Sequence, residues 1–267
     1  MLGQKDAAER MEKNYSRSGE AEAIILIKAA PHIGEKHGET VCCAAIDIHG
    51  NWLRLYPISF RDLDENKKFG RWDRIKFKWR LPKDDSRSES RRVDQNSIEV
   101  VGTLKPSERE KFLANSVVTS LTNERKAGRS LALLRAKILN FKIELKSKDD
   151  HQKEIEKFAE LRRQSDIFTK VPIVPYEPCL YRFKYKYQTD DGEREGTCQD
   201  WELEATFFNW QKRYGTETAL AEIQRIFGEE YPAKGMVLAM GTHSQYPDTW
   251  LINGVIRLNE NNQSALF

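Results

Sequence analysis

Two stretches alternate so strictly between basic and apolar or aromatic residues that each reads as a strand with one buried face. In Trp72-Asp73-Arg74-Ile75-Lys76-Phe77-Lys78-Trp79-Arg80, the residues Ile75, Phe77 and Trp79 fall on one side. Arg74, Lys76, Lys78 and Arg80 fall on the other, with Trp72 at its head. Successive side chains of a strand point to opposite faces, so the pattern buries one set and exposes the other. Tyr181 to Tyr187 repeats it, with Tyr181, Phe183, Tyr185 and Tyr187 on one face and Arg182, Lys184 and Lys186 on the other. No apolar run approaches the roughly 20 residues of a membrane helix, and Met1 to Glu20 has no apolar signal core. The sequence therefore predicts a cytoplasmic protein.

Around these two anchors the remaining segments sort into blocks. Ala23 to Lys28, Thr40 to Ile48, Trp52 to Tyr56, Trp72 to Arg80 and Ser97 to Gly102 read as short strands separated by turn residues, which suggests a small barrel or rolled sheet. A helix starts near Pro106-Ser107-Glu108. Leu131 to Leu145 is ambiguous: its first part reads as helix, and Ala136 to Leu145 fits a strand. Asp149 to Arg163 is a charged helix, and Pro172, Pro175 and Pro178 mark an extended linker. Leu180 to Gln188 and Glu193 to Cys198 form a hairpin across Asp190-Asp191-Gly192. Asp200 caps a helix to about Arg213, Thr216 caps another, and Lys234 to Gly241 and Thr249 to Leu258 close the sheet. The expected fold is α+β, with two small barrel-like or rolled sheets, OB-like or PUA-like, joined and flanked by helices. The expected divisions are a mobile tail at 1–20, a β-rich domain at 21–104, a helical connector at 105–170, an α+β domain at 171–258 and a tail at 259–267.

Charge narrows the function classes. The chain's net charge is only +3, yet Trp52 to Arg92 holds thirteen Lys/Arg against seven Asp/Glu. A basic segment on a near-neutral background fits a localised anion-binding face. Same-face residues of a strand lie about 6.6 Å apart, close to the phosphate spacing of an extended nucleic-acid strand. Arg74, Lys76, Lys78 and Arg80, headed by Trp72, are therefore expected to form an unneutralised cationic row for nucleic acid, with Arg182, Lys184 and Lys186 as a second ladder. The aromatic side of that second strand either stacks bases or packs on the helices after Asp200. Arg54 and Arg61 flank an aromatic-rich turn and suit bidentate phosphate contacts. Asp84 to Arg92 reads as a flexible loop.

Catalytic and metal signatures are incomplete, and no cofactor is expected. Cys42, Cys43, Cys179 and Cys198 form no CxxC pair. Glu144-Leu145-Lys146 offers the second half of a nuclease metal motif without its upstream Asp. His243 stands alone, and of Asp200, Glu202 and Glu204 only the first and last share a helix face.

Two resemblances add expectations. Gln263-Ser264-Ala265-Leu266-Phe267 resembles the short peptide that docks bacterial DNA-processing proteins on the sliding clamp, with Gln263, Leu266 and Phe267 at the matching places; Ala265 and Ser264 depart from its preferred residues. That resemblance implies the clamp as a partner. Gly38 to Asp47 and Trp52 to Arg61 resemble an uncharacterised bacterial family of tandem OB-like domains encoded near mobile-element and phage-defence genes, with no assigned activity. The leading expectation is a nucleic-acid-binding module. The alternatives are a PUA- or ASCH-like reader or processing enzyme of bases, with Trp52, Trp72 or Trp250 lining a pocket, and a sliding-clamp adaptor.

Overall fold

The computed structural model describes residues 17–34, 38–165 and 176–258. Its first unit contains β1 (Ser18–Lys28), β2 (His32–Gly34), β3 (Gly38–Asp47), β4 (Trp52–Ile58), β5 (Asp73–Arg80), β6 (Ser90–Val93) and β7 (Glu99–Thr103). Hydrogen bonding runs β1-β3-β4-β6-β5, and β5 pairs back onto β1. Five strands thus close into a barrel, with β4 and β6 parallel and the other barrel pairs antiparallel. Closure removes the exposed edges of a small sheet.

Strand β1 explains the uninterrupted run Ala23 to Ile27. Ala23 and Ile25 point into the barrel with Cys43, Leu55, Ile75 and Phe77. Ile24 and Leu26 point outward and are just as buried, against Leu131, Leu133, Val237 and Ile256. A strand covered on both faces reads as continuous apolar sequence instead of alternation. β1 also begins at Ser18, five residues before the expected Ala23.

The second unit follows α1 (Pro106–Leu113). It contains β8 (Val117–Val118), α2 (Leu121–Lys126), β9 (Leu131–Leu134), β10 (Lys137–Leu145), α3 (Lys148–Ser165), β11 (Tyr181–Thr189), β12 (Gly192–Cys198), α4 (Trp201–Tyr214), α5 (Thr216–Ile223), β13 (Met236–Thr242) and β14 (Trp250–Arg257). Its seven strands lie in the order β10-β11-β12-β14-β13-β9-β8. The fold is therefore α+β, a closed barrel beside a second sheet with flanking helices. Asp200 caps α4 as expected, accepting the Glu202 N–H at 3.0 Å. Asp191, in the β11–β12 turn, accepts the Leu121 and Thr122 N–H groups at the start of α2.

Three readings are corrected. Leu131–Leu134 is a strand, not a helix; all four residues are buried, so the run carries no periodicity that separates the two. Within the segment read as a flexible loop, Ser90–Val93 forms the barrel strand β6, and Asp85 holds Arg87 through two charged hydrogen bonds and Ser90 through a third. The residue before α5 is Gly215 at φ 84°, so Thr216 is the first helical residue and not the cap.

Candidate nucleic-acid interface

The β5 row is exposed, as the alternation requires, but it is not unneutralised. β1 pairs with β5 so that Glu20 lies opposite Lys78 and Glu22 opposite Lys76. Glu22 reaches Arg74 at 3.2 Å and Lys76 at 3.6 Å, and Glu20 reaches Lys78 at 3.7 Å. Glu99 of β7 sits opposite Lys76 on the other side. Only Arg80 of the four has no carboxylate in contact among the described residues. Trp72 does not head the row: it is buried, at φ 74°, beneath the Arg109 guanidinium at 4.7 Å.

The β11 ladder is paired in the same manner. Arg182 meets Asp150 at 3.4 Å, Lys184 meets Glu144 at 2.6 Å, and Lys186 meets Glu193 at 2.8 Å. The opposite, aromatic face is core: Tyr181 and Phe183 pack on Phe207 of α4, and Tyr185 donates its hydroxyl proton to the Phe227 carbonyl at 3.1 Å. Arg61 is held by Glu39 at 3.0 Å. The tail residues Gln263, Leu266 and Phe267 lie outside the described residues. Trp52 packs in the layer between barrel and sheet, and Trp250 packs in the sheet's own core. Of the three tryptophans proposed to line a pocket, Trp72 borders a cleft of about 470 Å³ with Arg71, Arg109 and Tyr231, while Trp52 and Trp250 are packed away from it.

The structure instead brings scattered residues together at a cleft of about 1030 Å³ between the barrel and the second sheet. The barrel contributes Ala29 to His32 after β1, Cys42 of β3, Arg54 and Tyr56 of β4, and Pro82 to Arg87 before β6. The second unit contributes Lys146, Lys157, Arg182, His243 and Asn253. Six cationic side chains line the cleft (Arg54, Arg87, Arg92, Lys146, Lys157 and Arg182) against four carboxylates, Asp84, Asp85, Glu154 and Glu204. Several of these are pinned. Arg87 is gripped by Asp85 and donates to the Thr242 carbonyl across the cleft at 2.6 Å. Lys146 pairs with Glu154 at 2.6 Å, and Tyr176 donates to Glu204. Burial raises the pKa of Glu204. Lys157 is exposed.

One wall carries a flat aromatic surface. The His32 ring lies parallel to Tyr56, at 5.8 Å between centroids and 8° between planes. Although His32 is exposed by area, the surrounding protein desolvates its ring and lowers its pKa, so near pH 7 it stacks as a neutral imidazole. His243 is fixed differently: its Nδ1 accepts the Gln245 and Tyr246 N–H groups, so Nε2 carries the proton. Among the described residues no three His, Cys, Asp or Glu side chains cluster as metal ligands, and no helix is long and apolar enough to cross a membrane. His32, Tyr56, Lys157 and His243 were not singled out in the sequence for this site, and no local motif links them.

Residues 100–267 match the model of a domain of unknown function, DUF8757. The chain belongs to that family. Residues 19–116, which span the barrel, match a second domain of unknown function, DUF8758. The cleft therefore lies between a DUF8758 barrel and the DUF8757 sheet. No curated protein matches the sequence. Among solved structures, one described as "Molecular basis for abrogation of activation of pro-inflammatory cytokines" is similar at 8% identity and a TM-score of 0.29, covering 68% of this chain and 75% of the other. A replication protein A heterotrimer bound to ssDNA is similar at 9% identity and a TM-score of 0.25, covering 93% of this chain and 67% of the other. Neither likeness carries weight for function at those scores.

Proposed function

We propose that the chain binds nucleic acid in the cleft between barrel and sheet, and not along the β5 ladder. The observation that carries this reading is the position of the cleft on the barrel. Five-stranded Greek-key barrels of the OB type bind oligonucleotides on the face of their second and third strands, flanked by the loops from first to second and from fourth to fifth. In this barrel those strands are β3 and β4, which supply Cys42, Arg54 and Tyr56. The two loops supply Ala29 to His32 and Pro82 to Arg87. The second unit adds Lys157 of α3 and Arg182 of β11 on the facing wall. His32 offers a neutral stacking surface for a base, and the half-exposed cations track phosphates.

The test is a salt-titrated anisotropy measurement with a short single-stranded oligonucleotide. Changing the exposed Lys157 to alanine is expected to weaken binding and reduce the salt slope by about one unit. Changing Lys76 and Lys78 to alanine is expected to leave both nearly unchanged, because those cations already face Glu20 and Glu22. The reverse result would return the interface to β5 and sink the cleft reading.

A further inference from the structure

At the floor of the cleft sits a guanidinium with unusual surroundings. Arg54 is 3% exposed. Its Nη2 donates to the Ser130 carbonyl at 2.9 Å and to the Ser130 hydroxyl at 3.2 Å. Its Nη1 meets only the Cys42 sulfur, at 3.9 Å, and its Nε has no partner. No carboxylate among the described residues forms an ion pair with it. Glu89 is reached only through Ser130, whose N–H and hydroxyl both donate to that carboxylate. Burial pulls the Arg54 pKa below the usual arginine value, with Arg87 acting in the same direction and Cys42 and Asp85 opposing it. A buried charge without a counter-ion is costly unless something else supplies the opposite charge.

We infer that Arg54 is the seat for one anionic group of the ligand, a terminal phosphate monoester, at the floor of the cleft. This deepens the nucleic-acid reading and rests on it. The barrel side of the floor is Cys42 and Arg54; the facing sheet comes so close that a methyl group on Gly241 would lie 3.4 Å from Arg54 Nη1 and 2.3 Å from Asn253 Nδ2. A phosphodiester inside a strand carries a sugar on each side and one negative charge. A terminal monoester has a single substituent, carries more charge, and fits end-on into a narrow floor. Of the two arginine atoms that lack an oxygen partner, Nε is sealed inside the protein, and Nη1, beside Cys42, is the donor that a phosphate binds through a charge-assisted hydrogen bond. The cleft on this view holds the end of a strand.

The experiment uses the full chain and two probes: inorganic phosphate in thermal unfolding, and matched single-stranded oligonucleotides with phosphate or hydroxyl at the 5′ or the 3′ end. One phosphorylated end is expected to bind about tenfold tighter than its hydroxyl counterpart. Arg54→Met should abolish that preference. Should Arg54→Met fail to fold, Cys42→Asp carries the test, because it places a carboxylate beside Nη1 and leaves Arg54 present. Cys42→Asp is expected to raise the unfolding temperature, remove the stabilisation by phosphate and erase the end preference, while Cys42→Ser keeps both responses. Equal binding of all end types by the native chain would overturn the terminal-phosphate inference and leave nucleic-acid binding standing. Phosphate stabilisation that Cys42→Asp removes, without binding of any oligonucleotide, would uphold the anion seat and overturn the nucleic-acid reading. A phosphate response indifferent to Cys42→Asp would place the anion elsewhere and overturn the seat.

Discussion

Replacing Asp200 with asparagine is expected to cost about 3–5 kcal/mol of stability, the usual range for breaking a buried ion pair from one side. The Asp200 side chain is 1% exposed and joins both units. Its two oxygens accept Arg71 Nη2 at 3.1 and 2.9 Å, the Glu202 N–H at 3.0 Å and the Val255 N–H at 3.0 Å. Arg71 leaves the barrel just before β5 and also donates to the Val255 carbonyl at 2.5 Å. Burial alone would lower the Arg71 pKa, but Asp200 and Glu202 more than reverse this and hold it above the usual value. Asparagine keeps the shape and can still accept the two backbone N–H groups. It leaves Arg71 without its principal charge partner in the interior. Urea unfolding followed by tryptophan fluorescence should show the midpoint falling with little change in slope. Adding Arg71→Met should recover part of the loss, since it removes a buried charge left with only the half-exposed Glu202 as partner. A cost of only a few tenths of a kcal/mol would mean that the apolar layer of Ile24, Leu26, Leu133 and Val237, not this pair, joins the two units.

The sequence made the fold legible wherever burial leaves a pattern. The run at Ala23 to Ile27, the alternation at Arg74 to Arg80 and the hairpin across Asp191 all led to the observed strands, and Asp200 was recognisable as a helix cap. Strand β6 was hidden because Ser90-Arg91-Arg92-Val93 is short and polar, and only its partners β4 and β5 make it a strand. The basic row shows why a face is easier to read than a surface. Alternation places Lys76 and Lys78 outward but says nothing of the neighbouring strand. Their carboxylate partners, Glu20 and Glu22, lie at the edge of the segment taken for a tail. The cleft had no local signature because its residues span from Ala29 to Asn253. Arg54 was nominated for phosphate from its aromatic, basic neighbourhood. Its burial beside Ser130, and its lack of a carboxylate, became visible only when β4 met the second sheet.

The second large effect separates a core from a binding platform. Phe207→Ala is expected to destabilise the chain by about 3–5 kcal/mol, as for deletion of a buried ring. Phe207 is 1% exposed, and its ring lies 5.3 Å from Tyr181, 6.2 Å from Phe183 and 5.7 Å from Phe208. The cavity would open beneath β11, where the rigid sheet cannot collapse to fill it. Alanine at Lys184 or Lys186, on the outer face of the same strand, should barely move the urea midpoint, because their partners, the half-exposed Glu144 and the exposed Glu193, are screened by solvent. The alternation of β11 would then divide cleanly into stability on one side and solvation on the other. If Phe207→Ala instead left stability intact and reduced oligonucleotide binding, the β11 aromatics would have to reach ligand. The interface would then belong on the second sheet, outside the cleft that β3 and β4 share with it.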